Sequence, residues 1–373
     1  MRIALLIALL PTLIFSIMQR DASAAEPKRM LNFPRESVGA LYLVPDFMPV
    51  GEVALGASIA VGSARSTRYI GVPANARLML QANNHFLEAI KAHEELSLVG
   101  VDTLKVNLSQ ADSGNNDCDR LLELLPQVKG SAKLRYLDLD QSDASDLGLK
   151  HAGALRNLEI LSMTESNIKG TCFKDLLTLP NLSKIFFERA GAPDSTYQTL
   201  TKFPRLTLLS LRWSNIGPRQ MEIVSHCKAL DDLNLSRNGM VNDECVKYLS
   251  RLPRLAKLNL SETSVTDSGL AALSKCPNLT LLNLGTSKVT DAGLKQLATL
   301  KKLSILDINN TKTTPTGLTP LVALPLTKIV LPSSSLSKNQ FARLQKQFPH
   351  TNIVVPKLET KDMDINEIMA PSH

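Results

Sequence analysis

Two stretches of the chain carry residue types that could hold a metal ion. His93-Glu94-Glu95 begins like the helical zinc motif of metalloproteases, but no histidine follows at the fourth position, so two ligands cannot share one helical face. A calcium loop is suggested by four spaced aspartates, yet the glycine that such a loop requires at its sixth position is missing; they are Asp138, Asp140, Asp143 and Asp146. We interpret the first stretch as a solvated helix and the second as loop acids, with weak calcium binding as the alternative, and we expect no cofactor.

Few residues are placed for acid–base or nucleophilic chemistry. The chain has six histidines, which are scattered, and it contains neither a glycine-rich phosphate loop nor a nucleophile elbow. Its 42 basic and 35 acidic residues leave a net charge of +7, but the basic ones are dispersed among acids instead of forming one stripe with aromatic residues. We therefore expect neither an enzyme nor a nucleic-acid-binding protein; an enzymatic alternative would have to reside in residues 31–100.

The dominant pattern is a phrase of the form Leu-x-x-Leu-x-Leu that returns at a nearly constant interval. Its nine copies are 23 to 25 residues apart, and a period in this range predicts a solenoid to which each repeat adds one turn. One elongated α/β body is therefore expected instead of two ordinary domains. The copies begin at Leu134, Leu158, Leu182, Leu206, Leu230, Leu255, Leu279, Leu303 and Leu326.

Each repeat divides into a strand, a loop, a helix and a turn. The alternation in the leucine phrase predicts a short strand, and successive strands should stack into a parallel sheet. Eight residues after each start comes a small polar residue, with Ala190 as the exception, which predicts a ladder of hydrogen bonds to buried backbone groups. Val265-Thr266-Asp267-Ser268-Gly269-Leu270 is typical of a capped helix that follows, and prolines recur after the helical stripe.

The repeat text resembles the leucine-rich-repeat family. The similarity is to the subtype with Val-Thr-Asp-x-Gly-Leu in the repeat and Cys-Pro or Leu-Pro before the next leucine phrase, known from the F-box substrate receptors of eukaryotes and from many exported bacterial proteins. Ser37-Val38-Gly39-Ala40-Leu41-Tyr42 and Gly71-Val72-Pro73 resemble the N-terminal region of exported repeat proteins of planctomycete bacteria. This resemblance implies a curved scaffold, with a parallel sheet on the concave face and helices on the convex face, that recognises other macromolecules, generally proteins, without catalysis.

The two ends of the chain differ from the repeats. Residues 1–25 carry an apolar stretch followed by Ala22-Ser23-Ala24-Ala25, which predicts a secretory signal peptide, with an uncleaved membrane anchor as the alternative. Residues 31–75 are rich in β-type runs and are expected to cap the solenoid, which we place at residues 76–356 and expect to be regular from residue 134. Residues 357–373 read as a polar, disordered tail.

Five cysteines occur in a chain that we expect to be exported. Cys227 and Cys276 fall where other repeats carry leucine, so they substitute for core residues, and two turns at one phase are too far apart for a disulfide. Cys172 and Cys245 share a phase three turns apart. We therefore predict buried free thiols, and leave a pairing of Cys118 or Cys245 open.

Variable positions of the strand phrase should project from the concave face, and the third to fifth repeats stand out among them. They bring together the aromatic and arginine types that dominate interface hot spots, including the only tryptophan, Trp213. The alternative for Trp213 is a rim side chain that packs on Arg189 or Arg237. The candidate binding residues are Phe186, Glu188, Arg189, Leu208, Arg212, Trp213, Asp232 and Arg237.

These features together favour a secreted or periplasmic binding module whose concave face engages a protein partner. We expect no nucleic-acid partner, and contact with a membrane only through the leader if it stays uncleaved. The alternative is a structural envelope protein whose basic excess holds it to acidic polysaccharide or to a membrane surface. The oligomeric state is left open by the sequence.

Overall fold

The structure, a computed structural model, describes residues 28–45, 59–66, 68–72, 76–106, 108, 117–332 and 336–356. The predicted leader and the predicted polar tail lie outside the described residues. The chain forms two compact units, residues 1–186 and residues 187–373. Among the described residues, no helix is both long and apolar enough to cross a membrane.

The first unit contains a sheet whose strands follow the chain after an antiparallel start. Its order is β3, β2, β5, β6, β7, β8, β9, in which β2 is antiparallel to β3 and β5, and each later neighbour is parallel. A separate two-stranded ribbon joins β1 to β4. The strands are β1 Lys28–Leu31, β2 Gly39–Pro45, β3 Ile59–Ser63, β4 Arg68–Gly71, β5 Ala76–Ala82, β6 Thr103–Val106, β7 Tyr136–Asp138, β8 Ile160–Ser162 and β9 Lys184–Phe186.

The second unit contains seven described strands that pair in parallel in chain order. Their register is constant, because Leu209 pairs with Leu233 and Leu233 pairs with Leu258, so that equivalent places of successive repeats lie side by side. The strands are β10 Leu208–Ser210, β11 Asp232–Asn234, β12 Lys257–Asn259, β13 Leu281–Asn283, β14 Ile305–Asp307, β15 Lys328–Val330 and β16 Asn352–Val354.

Helical segments connect successive strands, and several of them are 3-10 helices where the sequence predicts α-helices. Where an α-helix was expected throughout, the structure also has 3-10 turns, as at Pro315–Leu321, whose interior Pro320 has no N–H to donate. The α-helices are α1 Asn84–Lys91, α2 Asp117–Leu124, α3 Asp146–Leu149, α4 Asp194–Leu200, α5 Pro218–Val224, α6 Asp243–Leu249, α7 Asp267–Leu273, α8 Asp291–Leu294 and α9 Lys338–Gln347. Further 3-10 segments are Leu125–Gln127, Ser131–Lys133, Lys150–Ala154, Phe173–Thr178 and Lys295–Thr299.

The repeating leucines form the core of each unit. Leu230, Leu233 and Leu235, the three fixed places of one phrase, have no exposed surface, as the alternation predicts. Each such side chain removed from water contributes about 1.5–3 kcal/mol. The predicted α/β leucine-rich-repeat solenoid, with parallel strands on one side and helices on the other, is confirmed.

The Thr-Asp-x-Gly motif holds the helices of neighbouring repeats in register. Thr290 caps its own helix and donates its hydroxyl (2.6 Å) and its N–H (2.8 Å) to the carboxylate of Asp267 in the preceding repeat. Asp291 receives the same pair of bonds from Thr314. A Cβ atom at Gly293 would overlap Asp267, so the glycine of the motif leaves room for that aspartate.

All five cysteines are buried and free, which confirms the prediction. Cys227 and Cys276 lie in the core, at the places where other repeats carry leucine. Burial raises the pKa of Cys227 to about 12 and that of Cys276 to about 11. Thiols in such surroundings are poor nucleophiles because the thiolate is the reactive form.

Candidate functional site

One place in the loop after each strand has an unusual backbone conformation. The residue seven places after each of the eight repeat starts from Leu134 to Leu303 has a positive φ, between 51° and 59°, although none is glycine. Such a conformation costs roughly 1–2 kcal/mol for an ordinary L-residue. We call these residues the loop row; they are Gln141 and Glu165 in the first unit and Arg189, Trp213, Arg237, Glu262, Thr286 and Asn310 in the second.

Cross-repeat hydrogen bonds explain why the strained conformation persists. The Trp213 N–H donates to the Ser236 carbonyl (3.0 Å), and the Arg237 N–H donates to the Ser261 carbonyl (3.0 Å). The left-handed turn aims each N–H along the stack, so the ladder of the sheet continues into the loop. Within each unit, side chains of the loop row therefore stack at the spacing of neighbouring strands, about 4.7–4.9 Å.

The predicted polar ladder lies next to the loop row and fixes it from inside. Ser142, Ser166, Thr263 and Thr311 each donate their hydroxyl to a buried carbonyl of the same loop. In the second unit, the Asn238 carboxamide bonds to the loop of its own repeat and to that of the preceding one. The loop row thus stands on a rigid base.

Trp213 lies between two arginines of the loop row. The guanidinium carbon of Arg189 is 4.0 Å from the centre of the Trp213 ring, and that of Arg237 is 5.5 Å from it. Arg189 belongs to the preceding repeat and Arg237 to the following one, so Trp213 has a cation within cation–π distance from each neighbouring repeat. Trp213 nevertheless keeps 48% of its surface exposed. The tryptophan therefore packs on both arginines and is exposed at the same time.

Two carboxylates neighbour these cations. Glu262, the next member of the loop row, accepts a hydrogen bond from Arg237 Nε at 2.9 Å. Glu188 lies 3.6 Å from Arg212 and accepts the Ser210 hydroxyl at 2.5 Å. Burial raises the pKa of Glu188, while the Ser210 hydrogen bond and the Arg212 charge oppose that rise. Glu188 is thus directed inward, whereas the Glu262 side chain, 39% exposed, carries its negative charge at the surface beside Arg237.

The strand residues of the predicted cluster, Leu208 and Asp232, are less exposed to solvent than Trp213 of the loop row. Leu208 and Asp232 are half-buried neighbours in register on β10 and β11. Asp232 pairs with Lys257 at 3.7 Å, so its charge is compensated within the sheet. These residues form a floor beside the loop row.

The fifth residue of the Leu-x-x-Leu-x-Leu phrase is one of the variable positions that were expected to project from the concave face, and for most repeats this expectation is wrong. Phe186, at the end of the first unit, is only 6% exposed, so its ring offers no open surface. Other fifth places bend back to the loop, as when Asn283 Oδ1 accepts the Gly285 N–H at 2.8 Å. Fully or nearly buried members are Asp138, Ser162, Ser210, Asn283, Asp307 and Val330.

The structure therefore assembles part of the predicted cluster and adds a member. Arg189, Arg212, Trp213 and Arg237 lie together with Glu188 in the second unit. Glu262 was missed, although its place seven residues after Leu255 is the same as that of Trp213 after Leu206. Among the described residues, no group of three or more His, Cys, Asp or Glu side chains is arranged to hold a metal ion.

No protein-family model matches the chain, and no curated protein matches it. Among solved structures, an internalin from Listeria monocytogenes aligns with 15% identity over 75% of this chain and 87% of that one, with a TM-score of 0.44. Internalin C2 from the same organism aligns with 18% identity over 63% and 89% of the two chains, with a TM-score of 0.38.

Proposed function

We propose that this protein is a non-catalytic binding scaffold that acts outside the cytoplasm, and that its loop row around Trp213 engages a protein partner. The observation that carries the proposal is a half-exposed tryptophan fixed between two arginines on a rigid, strained loop. Residues of these two types provide most hot spots of protein interfaces, because they combine large contact area with directed hydrogen bonds.

Preorganisation supports the same proposal. A free tryptophan or arginine side chain loses about 0.5–1.5 kcal/mol of rotamer freedom when a partner immobilises it. Stacking of Arg189, Trp213 and Arg237 has already restricted these side chains in the unbound protein. Arg189, Trp213 and Arg237 occupy left-handed backbone, where glycine or asparagine would be less strained, and such strain is found most often at functional sites.

The test uses a substitution that the repeat already tolerates. Asparagine occupies the loop row at Asn310 with φ 51°, so Trp213→Asn should remove the ring without disturbing the loop. We expect wild-type protein to retain a specific partner from native envelope extract, and Trp213→Asn to lose it. Recovery is measured by affinity capture followed by quantitative mass spectrometry.

A matched control is Thr286→Asn, which introduces the same residue at the same loop place away from the stack. It should retain the partner as well as wild type does. Equal recovery by Trp213→Asn and by this control would contradict the proposal. Release of the protein from cell-wall material by salt, with no protein captured, would instead favour the envelope alternative.

A further inference from the structure

We infer that the first unit carries a second binding site, a cavity at its sheet that takes a neutral sugar. The site goes beyond the proposed function, because Trp213 belongs to the other unit and the ligand is a small molecule. The inference depends on the size of the cavity, on the polar groups of its wall and on the charges around it. The described lining residues are Gly39, Ala40, Tyr42, Gln81, Ala82 and Asn83.

The cavity forms where two antiparallel strands meet the helix that follows them. β2 and β5 pair so that Ala40 lies opposite Gln81. Tyr42 points to the same side as Ala40, because side chains two places apart in a strand share one face. Asn83 follows β5 and is the N-cap residue of α1. The cavity volume of about 340 Å³ lies near the lower end of the range for small-molecule sites, so it suits a small ligand.

Three side chains of the wall hold hydrogen-bonding groups that are not in use. Within the described part of the chain, the Tyr42 hydroxyl and the Gln81 carboxamide form no hydrogen bond, and both side chains are half-buried. Asn83 donates from Nδ2 to the Ser37 carbonyl at 2.9 Å, but its buried Oδ1 accepts no hydrogen bond from a described residue. A buried acceptor without a donor costs about 1–3 kcal/mol, so the wall gains from a ligand that brings hydroxyl groups.

The types of these side chains match the chemistry of a sugar. A sugar hydroxyl both donates and accepts hydrogen bonds, and the Gln81 carboxamide does the same. The C–H groups on one side of a sugar ring are weakly positive and pack on the negative face of an aromatic ring such as that of Tyr42. A wall with one aromatic ring and two carboxamides therefore offers both kinds of contact to a single saccharide unit.

The charges around the cavity favour a neutral ligand. None of the described lining residues is charged. On the neighbouring strand β6, Lys105 donates to Asp138 at 2.9 Å, and Asp140 lies beyond Asp138 and donates its N–H to it. On α1, His85 lies 3.9 Å from Glu36. Each of these basic groups has an acidic neighbour, and Asp140 adds an acid, so an anionic sugar gains nothing over a neutral one.

The test is a titration of the full-length protein with three neutral sugars, chitotriose, cellotriose and maltotriose, followed through the NMR signals of the sugar. We expect saturable binding of at least one of them. Gln81→Met keeps the length of the side chain but removes its hydrogen bonds, and Tyr42→Leu removes the ring. Each variant should raise the Kd at least about tenfold, which corresponds to losing about 1.4 kcal/mol.

Gln127→Met is the matched control, since Gln127 is an exposed glutamine of the same unit outside the cavity. It should leave the Kd unchanged, and urea unfolding checks that all variants are folded. The inference is overturned if none of the sugars binds, if neither Gln81→Met nor Tyr42→Leu changes the Kd, or if triglycine binds the cavity and the sugars do not. Any of these results leaves the proposed function intact, because that function is tested by capture of a protein partner with Trp213→Asn.

Discussion

Replacing Asn238 by alanine is expected to lower the free energy of unfolding by about 4 kcal/mol, because several buried backbone groups lose their partners together. The Oδ1 atom of Asn238 accepts the N–H groups of Ser214 (2.9 Å) and Ile216 (3.0 Å). Its Nδ2 donates to the carbonyls of Leu211 and Leu235, both at 2.9 Å, and to that of Ser236 at 3.2 Å.

Ser287→Ala is the matched control for this substitution. Ser287 occupies the same place in its repeat and is also buried, but its hydroxyl has no hydrogen-bond partner among the residues that the structure describes. Its removal should change the free energy of unfolding by less than about 0.5 kcal/mol. Urea denaturation of both variants measures the difference, and similar midpoints would show that the polar ladder does not hold the loops.

Asp140→Asn is expected to stabilise the protein at pH 8, by up to about 3 kcal/mol, and to change its stability little at pH 4. Burial, and then the charge of Asp138, raise the pKa of Asp140 to about 7, while hydrogen bonds from Ser162 and Thr164 oppose the rise. An asparagine Oδ1 can accept the same two bonds, at 2.6 and 2.8 Å, without carrying a charge.

The direction follows from proton linkage. The folded protein binds the Asp140 proton more tightly than the unfolded chain does, whose ordinary pKa is 3.8. Stability from this group is therefore fully present below about pH 4 and is lost as the pH rises through about 7. The asparagine variant does not lose this stability, so the free energies of unfolding of wild type and Asp140→Asn should diverge between about pH 4 and pH 7.

The measurement is urea unfolding at a series of pH values. Glu94→Gln serves as control, since Glu94 is an exposed carboxylate of the same unit, and its variant should follow wild type throughout. If Asp140→Asn were less stable than wild type at pH 8, Asp140 would be a stabilising anion there, and the raised pKa would be refuted.

The features that could be predicted from the sequence are those encoded by spacing. Leucine places of the phrase, the strands, the polar ladder at Ser142 or Asn238 and the core cysteines all follow from one period, because parallel stacking brings equivalent residues together. The Thr-Asp-x-Gly motif indicated helix capping at Thr290. Its contact with Asp267 of the preceding repeat depends on tertiary stacking and was not evident.

The candidate site was only partly predictable. Alternation of strand residues suggested that Phe186 projects outward, but alternation does not describe the loop that follows, and the projecting side chains instead belong to the loop row. A positive φ at Trp213 or Arg237 is set by cross-repeat hydrogen bonds, which no local propensity reports. The raised pKa of Asp140 likewise depends on burial by neighbouring repeats.

Acrylamide quenching of Trp213 fluorescence tests most directly whether a partner covers the loop row. Acrylamide is neutral, so it reaches the exposed tryptophan edge without competing for the arginines. In the free protein quenching should be efficient, because Trp213 is 48% exposed. We predict that the quenching constant falls several-fold when the captured native partner is added at saturation. An unchanged constant in the presence of bound partner would contradict the account, since the partner would then occupy another surface.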